Sequence, residues 1–394
     1  MTSRRFAQSL RSELDALAQH AMLRQLRTVE HRKGASIELE GRAVLDFSSN
    51  DYLGLATDPR LAARARAAFA TPHVGATASR SLGGNHAPHD QLEAALAALK
   101  GTEAALLFST GFAANTGILP ALAGRDDVIY SDALNHASIV DGCRLARATT
   151  RIVAHCDLSA LEQQLSADEG KYRRSLIVVE GVFSMDGDLY PLAELVPLAE
   201  RFDAAILLDD AHATGVLGPN GRGSAEHWGV EGAIDVTVGT LGKAFGTSGA
   251  FVAGSETLRT HLLNRARSFI FSTGTPPSLC SVTLEALAIA ASEPDRRTRL
   301  FEAARHLRNG LARLGLMPAT DGPGHIVPIV LGDPARTMAI GRALFERGYL
   351  VGAIRPPSVP TGGSRLRITV SAAHTERDID GLLAALAETL RSSG

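Results

Sequence analysis

The chain has 394 residues, which at roughly 150 residues per domain allows two to three domains and a full core without disulfide or metal staples. Apolar residues make up 45% and charged residues 21%, ordinary globular values that argue against wholesale disorder. A formal net charge of -2 leaves no Lys/Arg surplus to neutralise a nucleic acid, and charges cut every apolar run short of the ~18 residues a membrane span needs.

Residues 1–45 read as an amphipathic helix, a basic turn and a short strand pair. Phe6, Leu10, Leu14, Leu17 and Met22 recur at helical spacing, and residues 35–45 read as a hairpin turning near Gly41. Arg4 and Arg5 suggest an export signal, but Arg11, Glu13 and Asp15 stand where an apolar region would have to follow. A soluble helix and a cytoplasmic protein are therefore expected. From 46 to 290, seven short apolar runs start at 104, 127, 151, 175, 204, 235 and 249. Helical patterns separate several of them, one running from a first-turn Pro191 to Phe202. This alternation predicts an α/β fold, a mostly parallel seven-stranded sheet sandwiched by helices, with ligands beyond the carboxyl ends of the strands. From 291 to 394, helical patterns at 295–314, 334–347 and 376–391 flank strands at 325–331, 349–354 and 366–371, a smaller α+β domain. The expected division is thus 1–45, 46–290 and 291–394. Cys143, Cys156 and Cys280 form neither a disulfide framework nor a metal-ligand spacing, and read as buried thiols.

The strongest local signal is T-L-G-K-A-F-G, residues 240–246, a lysine among small residues directly after a strand. A phosphate-cradling loop would need G-x-x-x-x-G-K-[ST], and Thr237 and Ala244 both break that pattern. A Schiff-base lysine and a solvated surface lysine remain. The run 204–208 ends in Asp209, Asp210, Ala211 and His212. A carboxylate at the mouth of a buried strand needs a cation, and a protonated pyridine nitrogen is one. His212 can then reach the ring's phenolic oxygen. A metal held by Asp209, Asp210 and His212 is the alternative. Ser109, Thr110 and Gly111, between a strand and a helix, offer an anion site or a plain N-cap. His136 precedes another helix, where it would stack on a heteroaromatic ring or cap the helix. Glu180 and Ser184 follow one more strand end. An anion cradle, an imidazole, a hydroxyl, a carboxylate–histidine pair and an amine together match pyridoxal 5'-phosphate. G-P-N-G-R-G at 218–223 lacks the spacing and preceding strand of a dinucleotide loop.

The chain also resembles a known family. S-N-D-Y-L-G-L (49–55), E-G-V-F-S-M-D-G-D (180–188), D-D-A-H-A-T-G-V-L-G (209–218), T-L-G-K-A-F-G (240–246), F-S-T-G-T-P-P (271–277) and I-R-P-P-S-V-P (354–360) are similar to motifs of the α-oxoamine synthases, transferases of pyridoxal-phosphate fold type I. The resemblance implies that Lys243 binds the cofactor aldehyde and shuttles the Cα proton. Asp209 would pair with the pyridine nitrogen, and His212, with Ser184, would contact the phenolic oxygen. His136 would stack on the ring. Gly111 and Phe112, through backbone amides, and Thr240, through its hydroxyl, would hold the phosphate. Ser272 and Thr273 would reach the phosphate of a partner chain, in a homodimer whose active sites lie at the subunit interface. Asn50 and Arg355 would hold the amino-acid carboxylate. The segments 353–360 and 364–374 look most like the biotin-pathway members, which join L-alanine to a pimeloyl thioester on coenzyme A or acyl carrier protein. A sibling such as glycine C-acetyltransferase is the alternative. G-A-T-A-S-R (75–80) departs from the family pattern, with Thr77 where a second glycine is common. That departure bears on the acyl pocket. No metal, nucleic acid or membrane is expected as a partner.

Overall fold

The computed structural model describes residues 4–70, 74–316, 322 and 324–392. The chain divides into two compact units, Met1–Asn50 with Met185–Gly187 and Thr298–Gly394, and Asp51–Ser184 with Asp188–Arg297.

The first unit opens with the expected helix, Arg4–Gln19, none of whose residues is buried. Strands β1 (Val29–Lys33), β2 (Ser36–Leu39) and β3 (Arg42–Phe47) follow as antiparallel neighbours. The segment expected as a basic turn is therefore β1. It lies at a sheet edge, and its charged, exposed side chains are what an edge strand carries to discourage further pairing.

The second unit holds β4 (Ala104–Phe108), β5 (Val128–Asp132), β6 (Thr149–Val153), β7 (Ser175–Glu180), β8 (Ala204–Asp209), β9 (Val236–Thr240) and β10 (Ala250–Gly254). They form one seven-stranded sheet in the order β4-β10-β9-β8-β7-β5-β6. Only β10 runs against its neighbours, pairing antiparallel with both β4 and β9. The central strands are largely apolar because both faces are buried, whereas the edge strand β6 is mostly exposed. Leu176, Val178 and Leu207 enter one core with Ile118, Ile139 and Leu262 from the helices on that side. The alternate residues Ile177, Val179, Ile206 and Leu208 enter a second core with Leu161, Leu192 and Leu195. The helix expected to start at Pro191 spans Leu192–Arg201, with Pro191 one step earlier, at the N-cap.

Back in the first unit, β11 (Ile326–Gly332), β12 (Tyr349–Ile354) and β13 (Ser364–Thr369) complete a six-stranded sheet ordered β1-β2-β3-β12-β13-β11. β3 pairs in parallel with β12, Tyr349 opposite Leu45. β1, β2 and β3 thus share a sheet with the C-terminal strands, and Ile37, Leu39 and Val44 share a core cluster with Phe345. Pairing across some 300 residues leaves no local mark in the sequence. Among the described residues no helix is long and apolar enough to cross a membrane.

Thr77 has φ +61°, in the left-handed region where a β-branched side chain is strained, and it is exposed. The position where a glycine was expected is thus one whose backbone favours glycine. We expect Thr77→Gly to raise stability by about 0.5–1 kcal/mol, the relieved strain exceeding the extra chain entropy of glycine. Urea unfolding of the two proteins checks this, and a less stable glycine variant would contradict it.

Candidate active site

Six of the seven strands in the second unit run parallel, so their carboxyl ends share one edge of the sheet. The lysine loop follows β9 there. Leu241 N donates to Gly249 O at 2.9 Å, and Gly246 N donates to Lys243 O at 2.9 Å, closing a tight turn. Gly246 has φ +62°, and a Cβ there would stand 2.4 Å from Ala56 N, so the loop closes only with glycine. The turn presents half-buried Lys243 with its Nζ 2.9 Å from His212 Nε2. His212 Nδ1 lies 2.8 Å from the hydroxyl of Tyr52, which is fully buried.

The two aspartates at the end of β8 part company. Asp209 Oδ2 accepts from Asn115 Nδ2 at 2.7 Å, and its Oδ1 accepts from Ala211 N at 3.1 Å. Asp210 turns away. It accepts from Lys100 Nζ at 2.7 Å, from Thr214 Oγ1 at 3.2 Å and from Ser224 N at 3.1 Å. The reading of Asp209, Asp210 and His212 as one metal site is overturned by this split, because a single ion needs their ligand atoms together.

His136 caps the helix Ala137–Ala146, its Nδ1 accepting from Ser138 N at 3.2 Å. Burial lowers its pKa; Asp209 opposes this and Lys243 adds to it. His136 N donates to Glu180 Oε1 at 2.5 Å. Burial and the nearby Asp209 push the Glu180 carboxyl well above the usual range, Lys243 and the amides of His136 and Ser184 opposing. Burial and Asp209 thus favour the uncharged form of Glu180 over a second anion at this point. Ser184, half-buried, is tied in through that amide.

Gly111 and Phe112 open the helix Gly111–Leu122, capped by Thr110, whose side chain accepts from Ala113 N at 3.0 Å. First-turn amides of a helix have no partner within it and suit an anion. A Cβ at Gly111 would stand 2.9 Å from Thr240 Cγ2, so glycine keeps this cradle open. Thr240 Oγ1 also donates to Ala211 O at 3.2 Å, linking the cradle to the Asp209–His212 turn. Thr273 bridges to Ser79, and Ser272 N donates weakly to Phe269 O at 3.5 Å.

Asn50 and Arg355 belong to the first unit. Asn50 Oδ1 accepts from Arg367 Nη2 at 3.2 Å. Arg355 is 8% exposed; its Nη2 donates to Leu23 O at 2.8 Å, Nη1 meets Met338 Sδ at 2.9 Å, and Nε is buried without a partner. Burial, followed by the charge of Arg24, lowers its pKa.

Sequence reasoning missed Tyr52, Asn115 and His155. His155 Nδ1 lies 3.0 Å from Asp132 Oδ1, and Nε2 lies 2.7 Å from Asp188 Oδ2. Asp132, His155 and Cys156 are close enough to hold an ion, but carboxylates already occupy both ring nitrogens. The group is an ion-paired clamp. Tyr52 fixes the rotation of His212. We expect Tyr52→Phe to lower kcat/KM about tenfold, some 1.4 kcal/mol of barrier, while costing about 1 kcal/mol of stability. Steady-state kinetics beside urea unfolding checks both; an unchanged kcat/KM would show that His212 needs no such support.

The family model for aminotransferase class I and II matches residues 42–386. The chain belongs to that family. It is 50% identical to the 8-amino-7-oxononanoate synthase of Anaeromyxobacter dehalogenans strain 2CP-1 over 96% of this chain and 94% of that one. It is 47% identical to that of Herminiimonas arsenicoxydans, over 96% and 98%. Among solved structures it is similar to a Sphingomonas wittichii serine palmitoyltransferase, with TM-score 0.93 and 31% identity over 100% and 99% of the chains. The serine palmitoyltransferase of S. paucimobilis with PLP and myriocin bound gives 0.93 and 32%, over 98% of each. The fold is fold type I, the cofactor is pyridoxal phosphate and the protein is an acyltransferase of the group named 8-amino-7-oxononanoate synthase. The residues fit that cofactor. Gly111 leaves room for a phosphate that a Cβ would fill, a buried carboxylate stands ready for a pyridine nitrogen, and an amine lies within reach of an aldehyde.

Proposed function

We propose that the chain condenses L-alanine with a pimeloyl thioester, carried on coenzyme A or acyl carrier protein, to give 8-amino-7-oxononanoate, carbon dioxide and free thiol. The observation that carries this reading is the placement of Lys243, His212 and Asp209 at adjoining strand ends in a chain half identical to synthases of that name. When bound, pyridoxal phosphate supplies an aldehyde for an amine and a ring that accepts electrons from Cα. Lys243 takes the Cα proton from the amino acid and returns it after decarboxylation. Asp209, held by Asn115 and Ala211 N, keeps a proton on the pyridine nitrogen. His212 and Ser184 would hydrogen-bond the phenolic oxygen, and His136 would cover the ring face. The amides of Gly111 and Phe112 would hold the phosphate, with the hydroxyl of Thr240 turning from Ala211 O to join them.

Arg355 takes the amino-acid carboxylate together with Asn50. In support, Arg355 is buried and, among the described residues, has no carboxylate partner. The working protein is a homodimer in which Ser272 and Thr273 reach the partner's phosphate. Phe271, 70% exposed beside them, and Phe112, 47% exposed at the cradle, are the apolar surface such an interface would cover. A biosynthetic enzyme of this kind works in the cytoplasm. The test offers purified enzyme alanine, glycine or serine with pimeloyl, acetyl and palmitoyl thioesters and weighs the products. The reading requires the alanine–pimeloyl product to dominate; a glycine–acetyl product in its place would refute it.

A further inference from the structure

Two hydrogen bonds leave the Asn115 side-chain nitrogen, one to Asp209 Oδ2 at 2.7 Å and one to Ser138 Oγ at 3.0 Å. Asn115 is 1% exposed, so these are not solvent contacts. The orientation of the amide is settled by chemistry. Its oxygen cannot face a carboxylate oxygen at that distance, so the nitrogen does, and the amide leaves its own buried Oδ1 without a partner to make these two bonds.

Both Nδ2 hydrogens are thus spent, and Ser138 Oγ is an acceptor toward Asn115. Ser138 Oγ lies 2.7 Å from His136 Nδ1, and Ser138 N is 3.2 Å from the same nitrogen. A backbone amide can only donate, so Nδ1 carries a lone pair. The hydroxyl, with its hydrogen free, donates to Nδ1 as well. The ring's proton must then sit on Nε2.

We propose that Asn115 and Ser138 are positioning residues that hold His136 as the neutral tautomer protonated at Nε2. The proposal rests on the reading of His136 as the residue facing cofactor and substrate. Its consequence is directional. With Nδ1 saturated by donors, the ring has one hydrogen to offer, on Nε2, and it offers this to an acceptor such as a thioester carbonyl. The same chain, Asp209–Asn115–Ser138–His136, ties the carboxylate that would meet the pyridine nitrogen to the imidazole that would cover the ring, so neither can turn without the other. The charged and titratable groups acting on His136 are Asp209 after β8, Lys243 after β9 and Glu180 after β7. Asp209 favours a second proton on the ring; Lys243 opposes it.

The test uses full-length protein labelled with 15N in its histidine rings, studied with and without pyridoxal phosphate, with His136 assigned by its absence from His136→Gln. In wild type the His136 correlations show Nε2 protonated and Nδ1 bare around neutral pH, in both forms. Ser138→Ala removes the hydroxyl and keeps the amide. It lets the Nδ1-protonated tautomer appear and moves the pKa of His136 upward, because a donor that stabilised the neutral ring has gone. Ser138→Cys, a weaker donor of similar shape, falls between, and Asn115→Ala moves the ring the same way by releasing the hydroxyl. Turnover in Ser138→Ala falls roughly ten- to a hundredfold through kcat, with the acid limb of the pH profile displaced upward. Should His136 carry its proton on Nδ1 in wild type, the proposal is wrong. It is equally wrong if Ser138→Ala and Ser138→Cys, both folded by circular dichroism, leave tautomer and pKa unmoved whatever their activity. The resonance readout does not depend on which thioester is used, so failure of the substrate assignment would be seen separately.

Discussion

Lys243→Ala protein folds like the wild type and turns over about three to four orders of magnitude more slowly, roughly 4–5.5 kcal/mol of lost transition-state stabilisation. The reasoning is partly by elimination. The chain has four lysines. Lys100 is buried, with Nζ 2.7 Å from Asp210, and cannot leave without stranding that carboxylate. Lys33 sits on the exposed edge strand β1, and Lys171 is a surface residue 3.9 Å from Asp168. Lys243 alone of the four stands at the strand ends beside a histidine, half-buried, on a loop that only glycine at 246 lets close. Borohydride treatment of the cofactor-loaded wild type should place the cofactor's mass on the peptide containing residues 240–246, and Lys243→Ala should carry none. A label on another lysine, or a variant with wild-type kcat, would refute the assignment.

Much of this candidate site is legible in the sequence, and the reason is physical. A strand buried on both faces must be largely apolar along its length, so strands such as β4, β7, β8 and β10 stand out, and polar residues at the carboxyl ends stand out against them. What stayed hidden depended on direction or distance. Asp209 and Asp210 are neighbours of the same type, and nothing local says that the first meets Asn115 while the second meets Lys100. Tyr52 and His212 are 160 positions apart, and Asn115 and Asp209 are 94 apart, so their pairing has no spacing to read. Tyr52 was inside a recognised motif, but the motif carried no role for it. β1 was hidden for the opposite reason: V-E-H-R-K has the polarity of a loop because one of its edges has no neighbour. Thr77 was visible as a departure, yet only its φ shows that the departure costs strain.

His155→Gln should remove about 3 kcal/mol of stability near neutral pH, and the loss should shrink as pH rises. The histidine follows β6 and reaches Asp132 at the end of β5 and Asp188 on the return of the loop after β7. Phe183 packs its ring edge-on at 4.4 Å between centroids. Burial alone would drive the proton off; the two carboxylates outweigh it and hold the imidazolium to about 12, against 6.5 for the free group. The sign follows from linkage. A group with a raised folded pKa binds its proton more tightly when folded, so its stabilisation is complete below about 6.5 and drains away as pH climbs toward about 12. Glutamine can hydrogen-bond to one carboxylate but cannot charge, so its protein lacks that slope. The comparison is therefore a pair of urea titrations at several pH values, with the gap between wild type and variant widest at neutral or mildly acid pH and narrowing on the alkaline side. A constant gap would mean that the ring acts by shape rather than charge. The clamp also bears on catalysis, because Asp132 Oδ1 accepts from Leu134 N at 2.8 Å, two residues before His136, and Phe183 N donates to Asp188 O at 3.0 Å, one residue before Ser184. Loosening it should therefore lower kcat as well as stability, and His155→Gln protein that is destabilised but fully active would separate the two roles.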